Sequence, residues 1–146
     1  MSRRPVIVCV AGGFDPLHIG HIKHLKKAKE FGDFLIVLVS NDDDMSRKKG
    51  YCFMPIKERI AIVKSIRYVD KVIETMDSDG TQAKTIRFLR PDIYAKGGDR
   101  TPDNMPENEV QACYEVGCTF KYGIGKIENS SSRLVKDAGF SPSSDS

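Results

Sequence analysis

Long apolar runs are absent from this sequence of 146 residues. A helix that spans a bilayer needs about 20 consecutive apolar residues, and the longest apolar runs here, within residues 6–11 and 34–39, are far shorter. Charge of one sign is also scarce, because the net charge is only +3. Such a charge suits small anionic ligands but is too small to indicate a nucleic-acid partner. We therefore expect a protein that binds neither membranes nor nucleic acids.

Cysteine pairs of the metal-binding type are missing as well. The four cysteines, Cys9, Cys52, Cys113 and Cys118, include no C-x-x-C pair, and no His-rich segment accompanies them. Structural zinc sites use closely spaced ligands, so we expect no zinc site here. Scattered cysteines that stay reduced are typical of reducing compartments. The sequence therefore predicts a cytoplasmic protein with mostly buried, reduced thiols.

Short apolar runs and helical patterns alternate along the chain. Continuous apolar runs predict strands buried on both faces at residues 5–11 and 34–40, and further strands are predicted at 71–74, 93–96 and 119–122. Helices are predicted over residues 17–31, 55–67, 81–89, 107–116 and 130–138, and a loop over the basic segment 41–51. This alternation indicates an α/β, Rossmann-like, doubly wound parallel sheet of about five strands with helices on both faces. We expect a single domain at 1–140 and a disordered tail at 141–146.

The end of the first predicted strand carries the strongest candidate site. Residues 12–21 read GGFDPLHIGH, so two glycines end the strand and a helix follows. Ligands of parallel α/β sheets lie beyond the carboxyl ends of the strands, where a helix N-terminus favours anions. His18 and His21 project from the same side of a helical turn and can donate hydrogen bonds to phosphate oxygens. Two surface histidines beside a capping loop are the structural alternative. Because all three histidines fall within residues 18–24, we favour a phosphate site.

The same ten residues resemble the signature of the cytidylyltransferase-like nucleotidyltransferase superfamily, which shares its His-x-Gly-His element with class I aminoacyl-tRNA synthetases. The resemblance covers about residues 5–138. It implies transfer of a nucleoside monophosphate from a nucleoside triphosphate to a phosphorylated small molecule, with release of pyrophosphate. It further implies catalytic His18 and His21, Mg²⁺ that bridges the nucleotide phosphates, and a homodimer. The nucleotide-binding residues of this segment would be Gly12, Gly13, Phe14, Asp15 and Gly20.

A second motif follows the fourth predicted strand, where residues 90–99 read RPDIYAKGGD. A strand-to-helix turn would explain its glycines structurally. Beside the first motif, however, it resembles the adenylyltransferase domain of bacterial ADP-heptose synthases, and Pro102 continues the match. In the usual order of this fold the fourth strand borders the first. The resemblance implies that Lys96, Gly97, Gly98 and Asp99 bind the nucleotide, that ATP is preferred and that a heptose 1-phosphate accepts the adenylyl group.

Two more polar segments complete the predicted site. Three cations at residues 47–49 would ordinarily form a solvated surface, but they follow the second strand at the histidines' edge of the sheet. Lys49 matches a family position and is predicted to be catalytic, holding the acceptor or the α-phosphate. The residues predicted to bind substrate are Asp42, Lys48 and Arg59. Ser130, Ser131 and Ser132 start a predicted helix, and by resemblance they bind the β- and γ-phosphates. Whether Asp15 and Asp42 touch the acceptor or the metal stays open.

Two alternative functions remain. Residues 66–70 (IRYVD) resemble cytidylyltransferases that act on glycerol 3-phosphate or a similar alcohol phosphate. The connection between Gly50 and Glu58 is also about two residues shorter than in the heptose enzymes, which weakens the heptose assignment. The alternative of another class is a module that binds nucleotides without turnover. The unbroken His-x-Gly-His element argues against that module.

Overall fold

The computed structural model describes residues 4–97 and 101–124. The strands are β1 (Ile7–Gly12), β2 (Phe34–Val39), β3 (Lys71–Glu74), β4 (Ile93–Ala95) and β5 (Thr119–Lys121). The helices are α1 (Ile19–Lys29), α2 (Asp42–Lys49), α3 (Ile56–Lys64), α4 (Ala83–Leu89) and α5 (Glu107–Val116), with a short 3₁₀ helix at Pro102–Asn104. The predicted helix at 130–138 and the predicted tail at 141–146 lie outside the described residues. Among those that are described, no helix combines the length and the apolarity needed to cross a bilayer.

All five strands are parallel and form one sheet in the order β3-β2-β1-β4-β5. The predicted Rossmann-like α/β fold is therefore confirmed, and β4 borders β1 as expected. From β1 the chain builds outward to β2 and β3, then returns across the sheet to add β4 and β5. The strand order thus reverses between β1 and β4, which is where ligands of such sheets bind, at the carboxyl ends of the strands.

Helices cover both faces of the sheet, which explains why the central strands β1 and β2 are continuously apolar. Alternate side chains of β1 enter two separate clusters. Val8 and Val10 pack with Leu25 of α1 and Val63 of α3, on what we call the α1 face. Cys9 and its neighbours pack under α4 and α5, on what we call the α4–α5 face. All four cysteines are free thiols, and three of them are buried.

The segment predicted as a loop at 41–51 is helical, which corrects the sequence interpretation. Asn41 caps α2, because its side chain accepts a hydrogen bond from the Asp44 amide at 2.8 Å. Acidic residues fill the first turn and basic residues the last, as the helix dipole favours. The helix ends at Gly50, whose φ of 83° is a left-handed C-cap. The signals for α2 are therefore its cap and its charges, since the helix has almost no apolar stripe.

Candidate functional site

The turn that follows β1 is covered by the chain's own side chains. Phe14 is buried and has a φ of 53°. A Cβ added at Gly12 would stand 3.0 Å from the Phe14 ring, and one at Gly13 would stand 2.5 Å from Met45 Sδ. The resemblance implies that both glycines bind the nucleotide. In the structure the Phe14 ring and the flexible end of Met45 occupy the space beside them, so a side chain at either position would have to displace one of these groups.

The two histidines form the start of α1. His18 is the N-cap, and its Nδ1 accepts a hydrogen bond from the Gly20 amide at 3.1 Å. In return the His18 amide donates to Nδ1 of His21, also at 3.1 Å. An imidazole nitrogen that accepts a hydrogen bond carries no proton, so the ring proton of each neutral histidine is on Nε2. Each ring therefore keeps an Nε2–H donor, and the ring centroids are 3.9 Å apart.

The electrostatics of His21 favour this neutral form. Burial, together with the neighbouring His18 and His24, lowers the pKa of His21 to about 4. The ring also packs edge-on against Phe14, with centroids 4.9 Å apart. At neutral pH His21 is thus a fixed, uncharged donor at the positive end of the α1 helix dipole. This combination can bind a phosphate without a change in protonation.

Asp15 was predicted to contact the ligand, but in the structure its carboxylate is bound by the chain's own backbone. Its buried carboxylate accepts hydrogen bonds from the amides of Phe53 and Met54, both at 2.7 Å. Burial raises the pKa of Asp15, but these two hydrogen bonds outweigh it and hold the pKa below its usual value. Lys49 reaches the same turn, since its Nζ donates to the Asp15 carbonyl at 2.7 Å and lies 3.7 Å from the carboxylate. The structure therefore brings Lys49 to the turn that leads into His18.

Arg59 also differs from its predicted contact with substrate. The side chain is fully buried. One terminal nitrogen donates to the carbonyls of Gly13 and Ser40, at 3.0 and 2.6 Å, and the other to Asp42 Oδ1 at 2.6 Å. Its donors are therefore spent on the ends of β1 and β2, and Arg59 positions that edge of the sheet. One oxygen of Asp42 is likewise engaged, although its side chain is 45% exposed.

A cleft of about 220 Å³ opens on the α4–α5 face of the same edge. Gly12, Lys48, Lys96 and Gly97, all predicted site residues, line it. Lys96 is mostly buried there, with its Nζ 3.0 Å from Tyr94 Oη and 3.8 Å from Glu109 Oε1. The other predicted residues of these motifs, Gly98, Asp99, Ser130, Ser131 and Ser132, lie outside the described residues.

The other seven lining residues were not predicted from the sequence, and three of them, Ser40, Gln82 and Glu109, bring buried polar side chains to the cleft. Ser40 ends the second predicted strand, and this position at the carboxyl end of a strand could have indicated a site residue. Gln82 and Glu109 come from separate helix starts, and nothing in the sequence indicated that they meet. The burial of Arg59 was readable, because it lies three residues after Ile56 and four before Val63 on the apolar side of α3.

The described residues contain no group of three or more His, Cys, Asp or Glu side chains that could hold a metal ion. The carboxylates nearest the histidine turn, Asp15 and Asp42, already accept hydrogen bonds from Phe53, Met54 and Arg59. This donor set fits a Mg²⁺ ion that arrives with a nucleotide and is held mainly by its phosphates and water, which is the usual mode for this ion.

Comparisons with known proteins agree with this geometry. The family model described as cytidylyltransferase-like matches residues 9–124. A FAD synthase of Pyrococcus abyssi is 41% identical over 103 residues, which is 70% of this chain and 69% of that protein. The bifunctional protein HldE of Syntrophotalea carbinolica is 36% identical over 114 residues, but the chain spans only 23% of its length. The crystal structure of a lipopolysaccharide core biosynthesis protein from Thermoplasma volcanium superposes with a TM-score of 0.67 at 32% identity, covering 82% of this chain and 95% of that one.

Proposed function

The chain belongs to the cytidylyltransferase-like family and is a nucleotidyltransferase, and we propose that it transfers AMP from ATP to a sugar phosphate such as a heptose 1-phosphate. One observation carries the site: two neutral histidines, each with an Nε2–H donor, start a helix at the carboxyl edge of the sheet. That edge is the ligand edge of such folds. The donors suit the α- and β-phosphates of a nucleotide.

The reaction would need positioning and electrostatic stabilisation more than acid–base chemistry. A phosphate oxygen of the acceptor, ionised at neutral pH, attacks the α-phosphorus. The bond from that phosphorus to the oxygen bridging the α- and β-phosphates breaks, and that oxygen leaves with pyrophosphate. His18 and His21 would donate to the charge that builds on these phosphates, with no proton transferred. Lys49 would add a positive charge beside them, and Mg²⁺ would neutralise the polyphosphate.

Support for ATP comes from two directions. The Lys96-Gly97 pair follows β4, and its motif resembles that of adenylyltransferases. FAD synthase, the name of one relative, denotes an enzyme whose product contains AMP. We therefore favour an adenylyl donor. The same relative makes FMN a second candidate acceptor, and the IRYVD segment at 66–70 keeps glycerol 3-phosphate with CTP as a third.

Pyrophosphate release tests the proposal directly. The enzyme would be incubated with Mg²⁺, one of four triphosphates, and heptose 1-phosphate, glycerol 3-phosphate or FMN, and phosphate measured by malachite green after added pyrophosphatase. We expect the highest rate with ATP and heptose 1-phosphate. Calorimetric titration with ATP and CTP supplies the control on the base. Tenfold tighter binding of CTP, about 1.4 kcal/mol, would replace the assignment with the cytidylyltransferase alternative. No pyrophosphate from any pair would favour the non-catalytic module.

A further inference from the structure

The cleft on the α4–α5 face contains polar atoms that the chain does not use. Ser40 is 1% exposed, Gln82 is 4% exposed and Glu109 is 3% exposed. Ser40 Oγ, Gln82 Oε1 and Glu109 Oε1 are buried, and within the described part of the chain they have no hydrogen-bond partner. A buried polar atom left in this state destabilises the folded protein. Three such atoms around one cavity indicate a ligand that supplies the missing partners.

Neighbouring groups of the chain hold the Glu109 carboxylate in position in this cleft. The second oxygen of Glu109 accepts a hydrogen bond from the Gln82 amide at 2.9 Å, which fixes the carboxylate. Lys96 Nζ lies 3.8 Å from the first oxygen, too far for a hydrogen bond but close enough to offset its charge. The fourth buried oxygen without a hydrogen bond, Asp44 Oδ2, does not line the cleft and lies 3.8 Å from Lys48 Nζ.

The chemistry of these atoms defines the ligand. The carboxylate and carboxamide oxygens only accept hydrogen bonds, and the serine hydroxyl can accept one, so the ligand must present several donors. Lys96 offsets the charge of Glu109, so the donors need not be cationic. The ring system of a flavin presents only one N–H donor, so it does not match this set of acceptors. Hydroxyl groups on a sugar or polyol match all three oxygens.

The cleft also lies on the correct side for an acceptor. In phosphoryl-type displacements the attacking and leaving oxygens stand roughly in line through phosphorus. The histidines start α1, which packs on the α1 face, whereas Gln82 and Glu109 belong to the starts of α4 and α5 on the opposite face. Gly12 lines the cleft and also begins the turn that leads to His18. An acceptor in the cleft would therefore approach from the side opposite to pyrophosphate.

We propose that this cleft binds the hydroxyl-bearing body of the acceptor, and that Ser40, Gln82 and Glu109 select acceptors rich in hydroxyl groups over flavin phosphates. The inference rests on the proposed function for the reaction, but its residues and its ligand class are separate claims. Lys48, which lines the same cleft with a half-exposed side chain, supplies a cation suited to the acceptor's phosphate.

A test variant and a control variant distinguish an effect on acceptor binding from an effect on stability. Ser40→Ala removes an oxygen that bonds nothing in the described structure, so the melting temperature should not fall, while the acceptor KM should rise about fivefold to tenfold. Thr85→Val is the control, because Thr85 Oγ1 donates to Asp77 at 2.6 Å and accepts from the Met76 amide at 2.9 Å. It should lower the melting temperature and leave the acceptor KM unchanged.

Gln82→Met tests the second oxygen without a change in charge. It should also raise the acceptor KM about fivefold and leave the KM for ATP unchanged. Calorimetry with heptose 1-phosphate, glycerol 3-phosphate and FMN, each without nucleotide, measures the site even if no turnover is found. We expect the wild-type protein to bind a polyol phosphate more tightly than FMN and both variants to weaken that binding.

Three results would overturn this inference: tighter binding of FMN, no binding of either polyol phosphate, or variants that change only the KM for ATP. Pyrophosphate release by a protein that gives any of these results would leave nucleotidyl transfer standing and remove the acceptor cleft. Binding of a polyol phosphate without any pyrophosphate release would support the acceptor cleft and remove the proposed reaction.

Discussion

At the carboxyl edge of the sheet, the α1 face and the α4–α5 face differ in how their polar groups are used. On the α1 face, Nδ1 of His18 and of His21 is occupied by the backbone, and what remains is a pair of N–H donors. On the α4–α5 face, Ser40, Gln82 and Glu109 hold buried oxygens with no hydrogen bond among the described residues. Donors suit an anion and acceptors suit hydroxyl groups. This contrast is the basis of the proposed phosphate side and acceptor side.

The largest effect is expected at Arg59, which joins the two sides. Arg59→Met would leave the carbonyls of Gly13 and Ser40 without their donor and Asp42 without its cation. A buried carbonyl left without its donor costs about 1–3 kcal/mol, and two are affected here. Urea unfolding should show this loss, and Lys64→Met, an exposed change on the same helix, should show almost none. A loss under about 1 kcal/mol would mean that Arg59 does not hold the edge together.

A change at His21 should affect only the phosphate side. His21→Asn keeps a side-chain acceptor near the position of Nδ1 but lacks the Nε2–H donor, whereas His21→Gln retains a distant N–H. We expect His21→Asn to lower kcat about 100- to 1000-fold, as for the loss of an oxyanion donor, with little change in melting temperature. His21→Gln should retain more activity. Near-normal turnover by the Asn variant would contradict the assignment of the phosphate side.

The two faces also differ in how much of their structure could be predicted from the sequence. Apolar runs predict the strands because burial on both faces leaves a local pattern, and all five strands were found near their predicted places. The α2 helix was missed because its cap and charges stabilise it without an apolar stripe. The histidine motif is contiguous and could be read directly. The oxygens of Ser40, Gln82 and Glu109 come from three distant segments, and only folding shows that they meet without partners.

Two neighbouring lysines sharpen the contrast with a smaller effect. Lys49 contacts Asp15 in the histidine turn, whereas Lys48 lines the cleft. Lys49→Ala should lower kcat about tenfold, since it removes a charge beside the reacting phosphates. Lys48→Ala should change kcat less and should mainly raise the acceptor KM. Steady-state kinetics with both substrates varied would distinguish them. Equal, small effects from the two variants would indicate that residues 47–49 form a solvated surface with no part in catalysis.

The smallest effect is a dependence of stability on pH, which the histidines of α1 should produce. The pKa of His21 is lowered to about 4 from an ordinary 6.5, first by burial and then by His18 and His24. Between these values the unfolded chain binds a proton that the folded chain does not. The stabilising contribution of a neutral His21 is therefore complete above pH 6.5 and is lost as the pH falls towards 4. Burial lowers the pKa of His24 as well, so it contributes in the same direction.

Urea unfolding between pH 7.5 and 4.5 measures this dependence. The carboxylates with lowered pKa values lose their contributions only below their ordinary values, so they do not mask the histidines in this range. That pKa value is 3.8 for Asp15, Asp42, Asp70, Asp79 and Asp92 and 4.5 for Glu115. We expect a loss of about 1 kcal/mol from His21, after allowance for its partial exposure to solvent. His21→Gln should show a shallower slope, with the remainder due to His24. A slope identical to that of the wild-type protein would mean that His21 is not held neutral, and the phosphate side would then carry a charge that its hydrogen bonds do not predict.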